Sequence, residues 1–544
     1  MTWTGESPAQ QRVEYEDLPV GQYTFEVVAV DRDLVYSELP ATLSLEVVYQ
    51  PVSSSVRIAS VEFEDIFASF YKIYGQQSIG TVLVASTDPN PVQATVSLYI
   101  PDLMSRPFEQ QFSLEPLAEL PVALNAVLSP DILQLEGEVA VEAEVTLSFK
   151  VGEETISVEK THDLTINGRG ALRWDSVARA AAFIAPTSAA VTAFARPLLV
   201  AFENEIGYFG RPASNLIQAM TLFEALKEHG VRYVPDANTP YAKVAGDAFA
   251  IDHVQSAAEV LKRRAGDCDD LTALFCSLLE GAGISTALVD YPGHIFPLFD
   301  SGVARWESYK LPVDSRLYLI RDDRLWIPLE ITLIDGSFHE AWRHGADELA
   351  KLSGLDQRRL IVDTETAWET FPPTALSTEA TVEPPAQAAV AEEIAAQHNL
   401  LKAMIDEHIR KTYLDPMQLD PDDSELRTRL LRVYVALEQY DAAISAGLDF
   451  LIDERGDKAA TYNHLGIAHY LREETKQAAF YFKQAMDLSP EDEGIRGNHE
   501  QAMWMLGRSD EPSALTKVSA VDAGPLKGAA GRISEDRFYW LESR

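Results

Sequence analysis

A chain of 544 residues with 46% hydrophobic content has the length for roughly three or four domains and the apolar material to give each a core. Its 84 acidic against 45 basic residues leave a formal net charge of −39, which argues against nucleic acid and anionic membrane as partners. No apolar run reaches the roughly 18 residues of a spanning helix, so no membrane insertion is expected.

Residues 1 to about 170 alternate polar and apolar as strands do. Tyr23 to Val30 and Leu43 to Val48 form the first such pair. The stretch Leu18-Pro-Val-Gly-Gln-Tyr-Thr-Phe-Glu-Val27 resembles the closing strands of fibronectin-like Y_Y_Y modules, and residues 1–50 are read as the second half of one. Met1 is accordingly expected to lie inside a longer natural chain. The opening Met1-Thr-Trp-Thr-Gly-Glu-Ser7 has no apolar core of a signal peptide. A second β unit, 55–168, has strands at 81–85, 94–100 and 139–149 separated by Pro, Asp and Gly turns, the spacing of a β-sandwich.

After Gly168-Arg-Gly170 the pattern turns helical. Leu216, Ala219, Met220, Phe223 and Leu226 make one stripe that Gly230 ends. Helices continue to Gly281, then strands are expected at 286–290, 295–299, 317–320 and 325–332, so 170–370 reads as an α+β domain. A Pro-, Ala-, Thr- and Glu-rich linker is expected over 371–395. Helices resume at 396 and run to 507. Tyr462, Leu465, Gly466, Ala478, Phe482, Ala485 and Pro490 fit the tetratricopeptide (TPR) template, and Leu430, Tyr434, Tyr440 and Ala443 form a degenerate earlier copy. Residues 508–544 read as a poorly ordered tail.

Chemistry concentrates in the α+β domain. Asp267 caps an expected helix with Asp270 three residues on, which places Cys268 at the first helical position. Helix-start N–H groups favour a thiolate there. Asp267, Asp269 and Asp270 push the other way, so an imidazole must supply the rest. The only other cysteine, Cys276, lies on the same helix about 12 Å along its axis, too far for a disulfide. His294 follows Pro292-Gly293 at the start of an apolar strand. Glu330, flanked by Ile327, Pro328, Leu329 and Ile331, is expected to be semi-buried, which calls for a partner. Cys268, His294 and Glu330 thus offer a nucleophile, a base and an acid to orient the base. Asp314, Asp322, Asp323 and Asp335 are the alternative acids, in more turn-like surroundings.

The run Lys262 to Ile284, then Gly293-His294, then Trp326-Ile-Pro-Leu-Glu330, resembles the transglutaminase-like superfamily over about 215–335. The resemblance implies a papain-like core, with Cys268 as nucleophile, His294 as general base and acid, and Glu330 as the orienting acid. Most members have Asp where this chain has Glu330. An oxyanion hole would use the Cys268 N–H and a second donor, with Tyr233 and Tyr241 as candidates. His339 and His344 are five apart rather than four and would not share a helix face, against a zinc-protease reading.

The fold class expected is therefore multidomain: all-β sandwiches, then a papain-like α+β domain, then helical TPR hairpins. The expected function is acyl transfer or hydrolysis at peptide or amide bonds through a Cys268 thioester. A protein or peptide substrate, a protein partner through the TPR helices, and no cofactor or metal complete the reading. The alternative is a non-catalytic, exported interaction scaffold. The company of β modules points to a periplasmic or cell-surface location, although this chain carries no export signal.

Overall fold

The computed structural model describes residues 21–27, 41–47, 55–151, 154–203, 214–236, 250–291, 293–352, 360–375 and 382–507. The tail expected at 508–544, most of the 1–50 module and Tyr241 lie outside them. Strands β1 (Gly21–Val27) and β2 (Ala41–Val47) pair antiparallel, with Gly21 opposite Val47.

Eight strands follow: β3 (Val56–Phe63), β4 (Ile66–Phe67), β5 (Gly80–Ser86), β6 (Val92–Tyr99), β7 (Phe108–Leu114), β8 (Glu119–Leu124), β9 (Val139–Val151) and β10 (Glu154–Asn167). They form a three-stranded sheet, β3-β5-β8, and a five-stranded one, β4-β10-β9-β6-β7. Alternation drives the layering: Val92, Ala94, Val96 and Leu98 of β6 face inward while Gln93 is exposed. Val82, Val84 and Val122 from the smaller sheet share a core with Val96, Leu98, Val145 and Leu147 from the larger.

The next segment interleaves short strands with helices. Strand β11 (Ala171–Arg173) leads to α1 (Ala189–Ala201) and α2 (Ser214–His229). Strands β12 (Arg232–Tyr233) and β13 (Ile251–His253) precede α3 (Ala257–Arg263), β14 (Ala265–Gly266) and α4 (Cys268–Gly281). Then come β15 (Thr286–Tyr291), β16 (His294–Ala304), β17 (Leu319–Arg321) and β18 (Arg324–Pro328), α5 (Phe338–Lys351), β19 (Ile361–Asp363) and α6 (Thr364–Trp368). These last five strands make one antiparallel sheet in the order β17-β18-β16-β15-β19.

Helix α4 lies against β16 and is buried at every residue from Cys268 to Leu279. Leu271, Leu274, Phe275 and Leu278 face Phe194, Phe223, Phe338 and Trp342 of α1, α2 and α5. Its other face, with Cys268, Ala273 and Cys276, belongs to the core of the two N-terminal sheets.

Two expectations are corrected. The strand expected over 325–332 ends at Pro328, and Ile331–Leu333 forms a turn of 3-10 helix, because after Leu329 the chain leaves the ladder and the Glu330 N–H donates to Ala341 O (2.9 Å) instead. The linker expected over 371–395 is helical from Gln387: α7 (Gln387–Ile409) buries Val390, Ile394, Leu401 and Ile405 and packs on α2. Helix α7 leads through a π turn into α8 (Asp415–Leu419). Helices α9 (Ser424–Ala436), α10 (Tyr440–Ile452), α11 (Lys458–Leu471), α12 (Thr475–Leu488) and α13 (Glu493–Met505) follow, and each of α10 to α13 packs on the one before it. Gly466 lets α11 lie directly on the Phe482 ring of α12, where a Cβ would clash.

Candidate active site

Cys268 opens α4 where the chain leaves the extended β14. Gly266 is needed there, since a Cβ would meet the Asp270 Cβ at 2.7 Å. Asp270 reaches back to accept the Asp267 N–H (3.3 Å) and takes the Gln255 N–H (2.6 Å) as well. Burial and the Asp267 charge push the Asp270 carboxyl up to about 7. Helix α4 is thereby pinned at its start.

The Cys268 thiol lies within hydrogen-bonding reach of the main-chain N–H groups of Ile295 and Asp269. It is only 4% exposed, and burial, then the charges of Asp269 and Asp267, push it well above the ordinary thiol range. At neutral pH it is a thiol rather than a thiolate. Cys276 is fully buried, is also pushed up by burial, and is within side-chain hydrogen-bonding reach of Thr286.

His294 opens β16 directly after Gly293, whose φ of +89° is the left-handed conformation that favours glycine. Thr272 Oγ1 donates to Ile295 O (3.4 Å), tying α4 to the strand beside His294. The His294 Nε2 meets Glu330 Oε2 at 2.5 Å. Glu330 Oε1 accepts from Thr332 N–H (3.2 Å) and Thr332 Oγ1 (2.5 Å), while the Glu330 N–H donates to Ala341 O (2.9 Å) on α5. Gly345 allows α5 to close on this segment, because a Cβ there would lie 2.7 Å from the Pro328 carbonyl carbon. The carboxylate is thus held on both oxygens, and its backbone is held too.

The parallel pairing of β12 with β14 sets Tyr233 opposite Gly266. Burial, then the charges of Cys268, Asp267, Glu330 and Asp269, raise the Tyr233 phenol above its usual value, so it remains a donor. The structure thus brings Cys268, His294, Glu330 and Tyr233 into one neighbourhood. The alternative acids are engaged elsewhere: Asp314 with Arg316, Asp335 with Arg232, and Asp322 with Arg321. Asp323 sits in a left-handed turn and gives its carbonyl to the Arg305 N–H. His339 bonds Gln397 through Nδ1 (2.8 Å), away from the site.

Sequence reasoning missed Thr332 and Ala341, which hold Glu330. Thr332 was within reach, since a hydroxyl two residues after an acid is a common local hydrogen-bond pattern. It also missed that the Asp267 and Asp269 carboxyls are buried against each other, where burial, then the hydrogen bond to Asp267, hold the Asp269 carboxyl well above the usual carboxylate range.

No family model matches the chain, and no curated protein does. Among solved structures, the chain is similar to Salmonella alpha-2-macroglobulin reacted with methylamine, at 12% identity over 87% of this chain and 26% of that one, with a TM-score of 0.18. A point mutant of that protein matches at 12% identity, 90% and 25% coverage and 0.16. The native conformation of E. coli alpha-2-macroglobulin matches at 12%, 88% and 24%, and 0.16. The chain spans about a quarter of the length of these proteins. Likeness at such scores carries no inference about fold or function.

Proposed function

We propose that the chain is a thiol acyltransferase or amide hydrolase of the transglutaminase-like superfamily. Cys268 is the nucleophile, His294 the base and acid, and Glu330 the orienting carboxylate. The observation that carries this reading is the 2.5 Å contact between His294 Nε2 and Glu330 Oε2, on a histidine whose neighbour Ile295 abuts the Cys268 sulfur. With Nε2 engaged by the carboxylate, Nδ1 is the nitrogen that serves the thiol. His294 takes the thiol proton as sulfur attacks the amide carbonyl carbon. The tetrahedral oxyanion collapses, and the amine leaves with the proton from the imidazolium. Water, or a second amine, then attacks the thioester and restores the thiol. The Cys268 N–H and the Tyr233 phenol are the two donors for the oxyanion.

The substrate is a protein or peptide. The N-terminal sheets act as β-sandwich modules, and the TPR-type helices after 396 receive a protein partner, in a periplasmic or cell-surface setting. A second reading, a non-catalytic scaffold, is favoured by one observation, the near-complete burial of Cys268. Labelling with an iodoacetamide probe separates the two. The native protein should label at Cys268, and C268A should lose the label. Undiminished labelling of C268A, or labelling moved to the fully buried Cys276, would refute the nucleophile assignment.

A further inference from the structure

Two carboxyls flank the thiol and lie too close to each other for both to carry a charge. Asp267 and Asp269 are 5% and 4% exposed, and the two hydrogen-bond each other. Asp269 Oδ1 already accepts the Asp270 N–H (3.1 Å), and Asp269 Oδ2 and Asp267 Oδ1 are the buried oxygens that meet no other donor. A carboxyl can donate only when it is protonated, so the bond between the two needs one proton. Burial, then the bond to Asp267, hold that proton on Asp269. The titratable groups that face it are Asp267, Cys268 and Asp270 on α4, Asp252 of β13 and Tyr233 of β12. Asp252 takes the Trp174 indole N–H (2.7 Å), and Asp270 takes the Gln255 N–H (2.6 Å). His294 and Glu330, already paired, complete the neighbourhood.

We propose that Asp269 is a positioning residue for the thiol step, donating its acid proton to Asp267 so that Cys268 faces one flanking charge rather than two when it gives up its own proton. Asp269 transfers nothing in the reaction and keeps its proton throughout. Like charges within a few ångströms in a buried setting oppose each other strongly, so a thiolate between two carboxylates is far rarer than one beside a single carboxylate. Ionisation of Asp269 and ionisation of Cys268 are therefore competing ways to lose one proton. Below the Asp269 titration the thiolate fraction climbs with pH in the ordinary way. Above it the site gives up the Asp269 proton instead, and the thiolate fraction levels off while most of the sulfur is still protonated. The effect on Cys268 ionisation stands apart from the acyl-transfer reading; the effect on turnover rests on that reading.

The test is the pH profile of Cys268 alkylation by iodoacetamide in the full chain, read by mass spectrometry of the peptide that carries Cys268. Ultraviolet absorbance of the thiolate, with C268A subtracted, gives the same profile without a labelling step. D269N keeps a neutral donor to Asp267 at every pH. It should match the native rate within twofold at pH 6 and exceed it at least tenfold at pH 9.5, where the native profile has levelled. D267N leaves a single carboxyl in the pair and should lose the levelling too. Asparagine also serves as an N-cap, and far-UV circular dichroism checks that both variants fold. A D269N rate raised equally at pH 6 and pH 9.5 would show Asp269 ionised throughout and overturn the proposal. Profiles for D269N and D267N that superimpose on the native one would overturn it as well. Either result leaves the nucleophile assignment standing, since C268A alone decides that.

Discussion

Glu330 is held by four groups, through its side chain by His294 and the Thr332 N–H and hydroxyl, and through its own N–H by Ala341 O. The extra methylene relative to aspartate is accommodated by the backbone: the residue sits past the end of β18, at the cap of a short 3-10 turn, rather than on the strand. Replacing Glu330 by Gln keeps the shape and removes the charged partner that orients the His294 ring. A charged hydrogen bond contributes about 1.5 kcal/mol or more, so alkylation of Cys268 at neutral pH should slow about tenfold in E330Q. Stopped-flow or timed alkylation across pH 5–9 checks this, and a superimposable profile would show that Glu330 does not act through His294. The three reactive residue types were legible in the sequence because spacing and chain order carry them. Ala341 was not, since it acts through a main-chain carbonyl, which every residue has.

At the level of elements, α2 carries an acid with no exposure at all. Glu224 accepts the Phe338 N–H of α5 (3.2 Å) and lies 3.5 Å from Lys227 Nζ, which also reaches Glu393 of α7 (2.9 Å). Burial pushes the Glu224 carboxyl up to about 7, against the opposing pull of Lys227. The folded chain therefore holds this proton where the unfolded chain has lost it. Stability should fall as pH rises from about 4.5 through about 7 and level off above, by up to about 3 kcal/mol. Urea midpoints across pH 4.5–8 test this: E224Q should lose that share of the slope and be the more stable protein at pH 8. Parallel curves for the two proteins would exclude the effect. The same helix junction shows why the expected linker failed. Composition drew attention to Pro and Thr, but the residues from Gln387 onward are good helix formers with Val390, Ile394, Leu401 and Ile405 at helical spacing.

Across the whole molecule, period-2 and period-3.6 patterns made the strands and helices readable one by one. They did not show which element covers which. Periodicity says that a face is buried and is silent on what buries it. The clearest case is α4, whose two faces lie in two different cores, one with α1, α2 and α5 and one with the N-terminal sheets. A fragment spanning 170–375 would leave Ala273, Cys276 and Leu288 without the sheet residues that pack with them. That fragment should bind a hydrophobic dye and melt broadly, while the chain 55–507 melts cooperatively; calorimetry of both checks it. A sharp native-like transition in the short fragment would show that the shared core contributes little. The unit of inheritance is then larger than the unit of chemistry. A recombination point near residue 170 would separate the nucleophile's helix from half of its packing, so the β-rich leader and the thiol centre must be passed on together.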